Sequence, residues 1–354
     1  MARSPISAGV LLALAAALAF GSTTPFVHRF GAGVGPFATA CLLYAGAALV
    51  AVFWRGRADA EARVRREHLP RIVLVAMFGA VVAPAALAWG LQHADAASAS
   101  LLLNFEAAAT VLLARWFFGE SLGGRVWGAV LAMVAGGGLL VVASAGGALG
   151  ARWGLLAVLL ATLAWAADNT LTRPLSDLDP MGLIARKAAF GAVFTGVLAM
   201  AFGEVLPSAR GAAGLLACGA SGYGVSLRLY LLAQRRLGAA RTGSVFAVAP
   251  FVGAGLAWAL EGAPNGADGR AGALTVLAGG LFALAVYLHL SEAHSHEHTH
   301  AAMVHEHAHR HDDGHHDHVH DPPVTGAHSH VHAHTDVTHT HEHAPDVHHG
   351  HLHS

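Results

Sequence analysis

The chain has 354 residues, of which 55% are hydrophobic and only 12% charged, and its formal net charge is −1. Soluble domains carry about 25% charged residues, so a soluble fold of this composition would lack the polar surface to cover itself. A net charge near zero provides no field that attracts nucleic acid, and we expect no such partner. The composition therefore favours a protein that is dissolved in a lipid bilayer.

Ten apolar runs of about 20 residues follow one another up to Leu290. A helix of this length, rising 1.5 Å per residue, crosses the roughly 30 Å hydrocarbon core of a membrane. We therefore predict an all-α membrane protein with ten transmembrane helices. The predicted spans are 6–27, 34–54, 71–91, 96–118, 123–144, 153–172, 180–203, 211–233, 241–261 and 270–290.

The distribution of Lys and Arg predicts the orientation, because loops on the cytoplasmic side are enriched in both. With the N-terminus inside, 17 of the 21 Lys and Arg residues fall on or near the cytoplasmic side, including six arginines between 55 and 71. Only Arg29, Arg152, Arg210 and Arg270 fall outside. An even number of spans then returns the C-terminus to the cytoplasm, and we expect a bacterial plasma (inner) membrane.

The sequence repeats itself weakly. Leu18-Ala19-Phe20 resembles Leu163-Ala164-Trp165, and Ala96-Ala97 resembles Ala239-Ala240, at spacings of 145 and 143 residues. We therefore divide the membrane part into a first half, 1–146, and a second half, 150–290, with five spans each. Because five is odd, the second half lies upside down relative to the first. Secondary transporters often have this plan, with their substrate site near the midplane between the halves.

Several short motifs occur in a characteristic order: AFGST at 19–23, LLLNFE at 101–106, FGE at 118–120, DNTLTR at 168–173 and RTGSVFAVAP at 241–250. On these motifs the chain resembles the drug/metabolite transporter superfamily, in its ten-helix EamA branch, over about residues 6–290. The resemblance implies transport of a small metabolite by alternating access. It departs from the family where Ala107 replaces a usual proline, whereas the matching Pro250 is present. The chain lacks a phosphate-binding Gly-x-x-x-x-Gly-Lys loop, and we expect neither ATP hydrolysis nor another enzymatic activity.

Charged residues inside the spans are the candidate substrate or coupling residues, because a charge there costs roughly 3 kcal/mol on insertion scales. Glu106 lies about ten residues into the fourth span, two residues after Asn104, and its carboxylate could accept a proton or an amine. Asp168 and Asn169 lie in the sixth span. Their candidate partners are Arg186, Lys187 and Arg228, which the topology places towards the same side. The alternative for Glu106 is a protonated or helix-paired carboxylate that only holds the bundle together. For the Asp168 group the alternative is a structural salt bridge.

The tail, residues 291–354, differs in composition from the membrane part and contains 23 of the 27 histidines, ten acidic residues and one arginine. It has no apolar periodicity, and Pro322-Pro323 interrupts it, so we predict a disordered cytoplasmic segment. Neutral imidazoles bind Zn²⁺, Ni²⁺ and Co²⁺, and we expect the tail to bind such a metal although the membrane part requires no cofactor. The candidate ligands are His294, His296, His298, His300, His305, His307, His309, His311, His328, His330, His332, His334, His339, His341 and His343.

Three functions remain open on the sequence. The first is a secondary transporter of a small metabolite whose tail is an accessory. The second is a divalent-metal exporter whose tail collects the cargo, although the spans offer only Glu106 and Asp168 as ligands. The third is a membrane metal sensor that transports nothing. The expected partners are the bilayer and a small-molecule substrate, and a homodimer is a further possibility.

Overall fold

The computed structural model describes residues 5–54, 64–118, 123–143, 149–175, 178–237, 242, 245–262 and 269–290, and four tail segments, 294–300, 303–309, 328–334 and 337–343. In the tail it describes the course of the backbone. The predicted ligand His311 lies outside the described residues, as does the side chain of Arg173 in the DNTLTR motif.

The membrane part is a bundle of α-helices. The helices of the first half are α1 (Pro5–Gly21), α2 (Thr23–Phe30), α3 (Pro36–Phe53), α4 (Leu69–Ala76), α5 (Ala83–Leu91), α6 (Ala96–Leu102), α7 (Phe105–Phe118) and α8 (Gly124–Ala143). Those of the second half are α9 (Leu149–Thr172), α10 (Pro180–Ala201), α11 (Ala209–Cys218), α12 (Ser226–Leu237), α13 (Ala249–Glu261) and α14 (Gly269–Leu290). Short 3₁₀ turns lie at Arg66–His68 and Arg173–Leu175.

The described residues contain nine helical stretches that are long and apolar enough to cross a membrane. They coincide with nine of the ten predicted spans and confirm the all-α membrane fold. The predicted ninth span corresponds to α13, which has 13 residues, and residues 238–241 and 243–244 before it are outside the described part. Two of the spans, the first and the fourth, consist of two helices in succession, α1 with α2 and α6 with α7.

Irregular helix geometry recurs at equivalent places in the two halves. A π-helical segment at Met77–Val82 joins α4 to α5, and another at Gly219–Val225 joins α11 to α12, starting 142 residues later. Turns at Leu103-Asn104 and Ala247-Val248 interrupt the fourth and ninth spans, 144 residues apart. These spacings match those of the sequence repeat, so the two halves share their distortions as well as their helix order.

The packing of the helices also follows the repeat. The second span, α3, packs along the seventh, α10, and the fifth, α8, packs along the tenth, α14. The first span packs through α1 on α12 of the eighth, and the sixth, α9, packs correspondingly on α5 of the third. Each of these contacts joins one half to the other, so the core of the bundle is their shared interface.

In four short segments the tail has the extended backbone of a strand, whereas the membrane part is helical. Strands β1 (His294–His300) and β4 (Val337–His343) pair antiparallel, as do β2 (Met303–His309) and β3 (His328–His334). The alternation of histidine with other residues has the two-residue period of a strand, which accounts for this difference. The register places His296 opposite His341 and His307 opposite His330.

Candidate substrate site at the junction of the two halves

A carboxylate from the first half meets an amide from the second half where α7 packs on α9. The Asn169 side chain on α9 donates a hydrogen bond to Glu106 Oε1 on α7, at 2.8 Å. Glu106 is half-buried and Asn169 is exposed, so the pair borders open space. Since a carboxylate facing lipid would be strongly unfavourable, this space is expected to be polar and accessible to water or a ligand.

The neighbouring residue on α9 forms an ion pair with the seventh span. Asp168 is buried, with only 4% of its surface exposed, and Lys187 Nζ on α10 donates to Asp168 Oδ2. The hydroxyl of Thr172 lies 3.4 Å from the other carboxylate oxygen. Asp168 is therefore neutralised inside the second half, and consecutive residues of one helix have different partners.

The first π segment brings a backbone carbonyl into this interface. In a π-helix each N–H bonds to the carbonyl five residues earlier, as Ala83 N does to Phe78 O. The donor to Gly79 O would therefore be residue 84, but Pro84 has no N–H. The carbonyl of Gly79 is thereby left without a helical donor. It accepts instead from the hydroxyl of Tyr44 on α3 and from Trp165 Nε1 on α9, the latter at 3.1 Å.

The packing around Gly79 leaves no room for a side chain at this position. A Cβ atom at this position would collide with the Asp168 carboxylate and would lie 2.8 Å from Lys187 Nζ. The glycine therefore lets the third span approach the Asp168–Lys187 ion pair closely. The same residue carries the carbonyl that accepts from Tyr44 and Trp165.

Six aromatic side chains form a continuous cluster, which we call the aromatic cluster and which includes Trp165, one helical turn before Asn169 on α9. Phe20 contacts Trp165 at a ring-centroid distance of 6.3 Å, and both belong to the repeated Leu-Ala-aromatic motif. Tyr223, in the second π segment, lies 5.8 Å from Phe20 and 5.5 Å from Tyr44. The cluster is completed by Phe246 and Tyr230, whose rings are 5.1 Å apart.

The remaining predicted site residues lie in other contacts. The buried Asn104 donates from Nδ2 to the carbonyl of Leu101, at 2.9 Å, where α6 gives way to α7. Arg186 donates to Gly182 O within its own helix, at 2.9 Å. Arg228 donates to Trp54 O at 2.6 Å and its guanidinium lies 4.7 Å from the Trp54 ring centroid. Of the three candidate cations, Lys187 is thus the one that bonds to Asp168.

Polar contacts join the loops at the end of the bundle that carries residues 31–35, 92–95 and 202–208, which we call the far face. The Glu204 carboxylate accepts from Phe37 N and Ala38 N at 3.2 and 2.8 Å, and so caps the first turn of α3. Gln92 Nε2 donates to Val34 O at 2.7 Å. His28 Nδ1 and Glu261 Oε1 lie 2.8 Å apart.

The sequence reasoning missed the aromatic cluster and Gly79. The repeated motif contained a usable signal, because Phe20 and Trp165 occupy its equivalent positions and meet in the structure. Pro84 was a second signal, since a proline frees a carbonyl in the preceding turn. Tyr44 and Tyr223 had no local signature, as only the packing of two distant helices brings them together.

The fold and this junction define a multi-pass membrane protein that is built from two equivalent five-span halves. The sequence profile of the EamA-like transporter family matches residues 7–142 and again 152–285. The chain therefore belongs to the EamA-like transporter family, and its environment is the lipid bilayer.

Individual relatives agree with this assignment. An uncharacterized transporter of Methanothermobacter thermautotrophicus (strain Delta H) is 26% identical over 214 residues, which are 56% of this chain and 59% of the relative. The aligned part thus spans less than two thirds of the relative's length. A crystal structure of a protein with 19% identity superposes with a TM-score of 0.55, over 78% of this chain and 97% of the other, and supports the fold alone.

Proposed function

We propose that the protein is a secondary transporter that moves a small metabolite across a bacterial inner membrane by alternating access, with both termini in the cytoplasm. The hydrogen bond between Glu106 and Asn169 carries the proposal, because it joins the two halves at a polar point beside open space. Rocking of one half against the other would make or break this contact, as expected for a site at a repeat interface.

The alternative of a divalent-metal exporter receives less support from the membrane part. Among the residues that the structure describes, no group of three or more His, Cys, Asp or Glu side chains is placed to hold a metal ion. Asp168 is already paired with Lys187, which leaves Glu106 as a single hard ligand. Transition metals are usually held by three or four protein ligands.

We propose separately that the tail binds Zn²⁺, Ni²⁺ or Co²⁺ as an accessory to transport. The register of its strands supports this, because histidines stand opposite histidines at His294–His343, His298–His339, His305–His332 and His309–His328 as well as at the two pairs named above. Directly opposite positions of an antiparallel pair lie close together on one face. An ion bound there would be shared by two strands.

Reconstituted full-length protein tests the transport proposal. A thermal-shift screen of metabolites and divalent metals identifies ligands, since any ligand that binds the folded state raises its stability. Each ligand is then tested for counterflow in proteoliposomes. We expect counterflow that Glu106→Gln abolishes and that Glu67→Gln, the same change at an exposed carboxylate in the Arg66–His68 turn, leaves intact. A protein that binds ligands tightly but shows no flux would instead be the sensor.

A further inference from the structure

The two carboxylates at the junction are not equivalent, and the difference indicates the charge of the substrate. We propose that the transported substrate is an organic cation with an apolar or aromatic body, with Glu106 as its counter-ion and the aromatic cluster as the surface for its body. This inference rests on the proposed function as a transporter and names the substrate class of the same site.

The charge inventory supports a positive substrate. Asp168 has the ammonium group of Lys187 as its partner, so this pair contributes no net charge. Glu106 has the neutral amide of Asn169 as its hydrogen-bond partner. An ionised carboxylate at this depth is unfavourable unless a cation or a proton compensates its charge. A substrate cation would supply that compensation.

The aromatic cluster provides the second part of the site. Glu106 bonds to Asn169, and Trp165 of the cluster lies four residues before Asn169 on α9, on the same face of that helix. The faces of Trp, Tyr and Phe rings attract ammonium groups when the centroid is within about 6 Å. The first half contributes Phe20 and Tyr44, and the second half contributes the other four rings, so a bound cation would contact both halves.

Other substrate charges fit the junction less well. An anion would meet the unneutralised Glu106 and the negative faces of the rings, while the one lysine at the junction is bonded to Asp168. A zwitterion would need a second cation for its carboxylate. A bare divalent metal would find a single carboxylate that is not already paired with a cation, and the described residues contain no group of three or more His, Cys, Asp or Glu side chains placed to hold it.

A proton and an organic cation would compete for the same carboxylate. Protonation removes the charge that attracts the cation, so binding should weaken as the pH falls. Other polar and charged groups also interact with Glu106, and they stay the same when Glu106 alone is substituted. They are Asn169 and Asp168 on α9, Lys187 on α10, Tyr44 on α3, Tyr223 in the second π segment and Tyr230 on α12.

The test compares four probes that share an aromatic body and differ in charge. Benzyltrimethylammonium, benzyl alcohol, phenylalanine and benzoate are titrated into purified full-length protein, with binding measured by calorimetry and by tryptophan fluorescence. We expect benzyltrimethylammonium to bind about tenfold or more tightly than the other three, as a desolvated cation–π contact and a charge pair predict. We also expect its affinity to fall at lower pH.

Two isosteric variants provide the controls. Glu106→Gln keeps a carbonyl oxygen to accept from Asn169 and removes the charge, and it should weaken benzyltrimethylammonium about tenfold or more. Glu67→Gln, at an exposed position away from the junction, should leave the affinity unchanged. Equal or tighter binding of benzoate, phenylalanine or benzyl alcohol would overturn the inference, as would unchanged binding by Glu106→Gln or no binding of benzyltrimethylammonium at all.

The two proposals fail in different ways. If proteoliposomes show counterflow of a neutral or anionic solute while the cation does not bind, the substrate class is wrong and the transport function stands. If the cation binds in a manner that depends on Glu106 but no solute shows counterflow, the site stands and the transport function is wrong.

Discussion

The junction of the two halves and the histidine-rich tail both collect groups that bind ions, but they do so in opposite ways. At the junction each group occurs once and has its own partner, as Asp168 has Lys187 and Glu106 has Asn169. In the tail one residue type recurs at every second position along four strands. Stability and binding at the junction should therefore depend on the identity of single residues. Metal binding by the tail should depend on the spacing of its histidines.

The largest effect is expected from removing the partner of a buried charge. Lys187→Met leaves the buried Asp168 carboxylate with the Thr172 hydroxyl as its hydrogen-bond donor among the described side chains, and should lower the free energy of unfolding by about 3–5 kcal/mol. Unfolding in mixed detergent and SDS micelles measures this loss. The double variant Asp168→Asn/Lys187→Met should recover most of it, and a single variant as stable as the parent would show that the ion pair is dispensable.

The next largest effect is expected at the closest approach of the third span. Gly79→Ala places a methyl group against the Asp168 carboxylate and should cost about 1–3 kcal/mol by overpacking. Gly138→Ala on α8 is the matched control, because among the described residues no atom beyond the local backbone of α8 lies within 4 Å of a Cβ there. Thermal unfolding of both proteins in detergent distinguishes them, and equal midpoints would contradict the close contact.

A smaller effect is expected from the hydroxyl that bonds to the freed carbonyl. Tyr44→Phe leaves Gly79 O with the Trp165 indole as its side-chain donor and should cost about 1 kcal/mol. Tyr287→Phe, at an exposed position of α14, should have no effect. If the two substitutions lower the midpoint of thermal unfolding equally, the carbonyl does not depend on Tyr44.

The tail should tolerate the loss of one ligand but respond to a change of pattern. His296→Ala should weaken zinc binding by less than about twofold, because many histidines remain. A composition-preserving exchange, His296→Glu with Glu297→His and His298→Thr with Thr299→His, removes two histidines from their cross-strand partners and should weaken it further. Competition with a chelator measures both. Equal affinities would show that the tail binds metal without strand pairing.

The membrane fold was predictable because the bilayer imposes a simple rule on length and composition. Nine predicted spans coincide with helices that are long and apolar enough to cross a membrane. Glu106, Asp168 and Asn169 were also predictable as candidates, because charged and amide groups stand out in apolar spans. Their partners were not, since Lys187, Arg186 and Arg228 have similar chemistry. Only the packing of both α9 and α10 on the π segment of the third span brings Lys187 to Asp168.

The hydrogen bonds of the Gly79 carbonyl should change when the two halves move during transport. This carbonyl accepts one hydrogen bond from Tyr44 in the first half and one from Trp165 in the second, so a single backbone oxygen is bonded to both moving bodies. Displacement of one half would break one of these bonds and raise the stretching frequency of that carbonyl. An isotopic label at this one position would thus turn infrared spectroscopy into a gauge of the relative position of the halves.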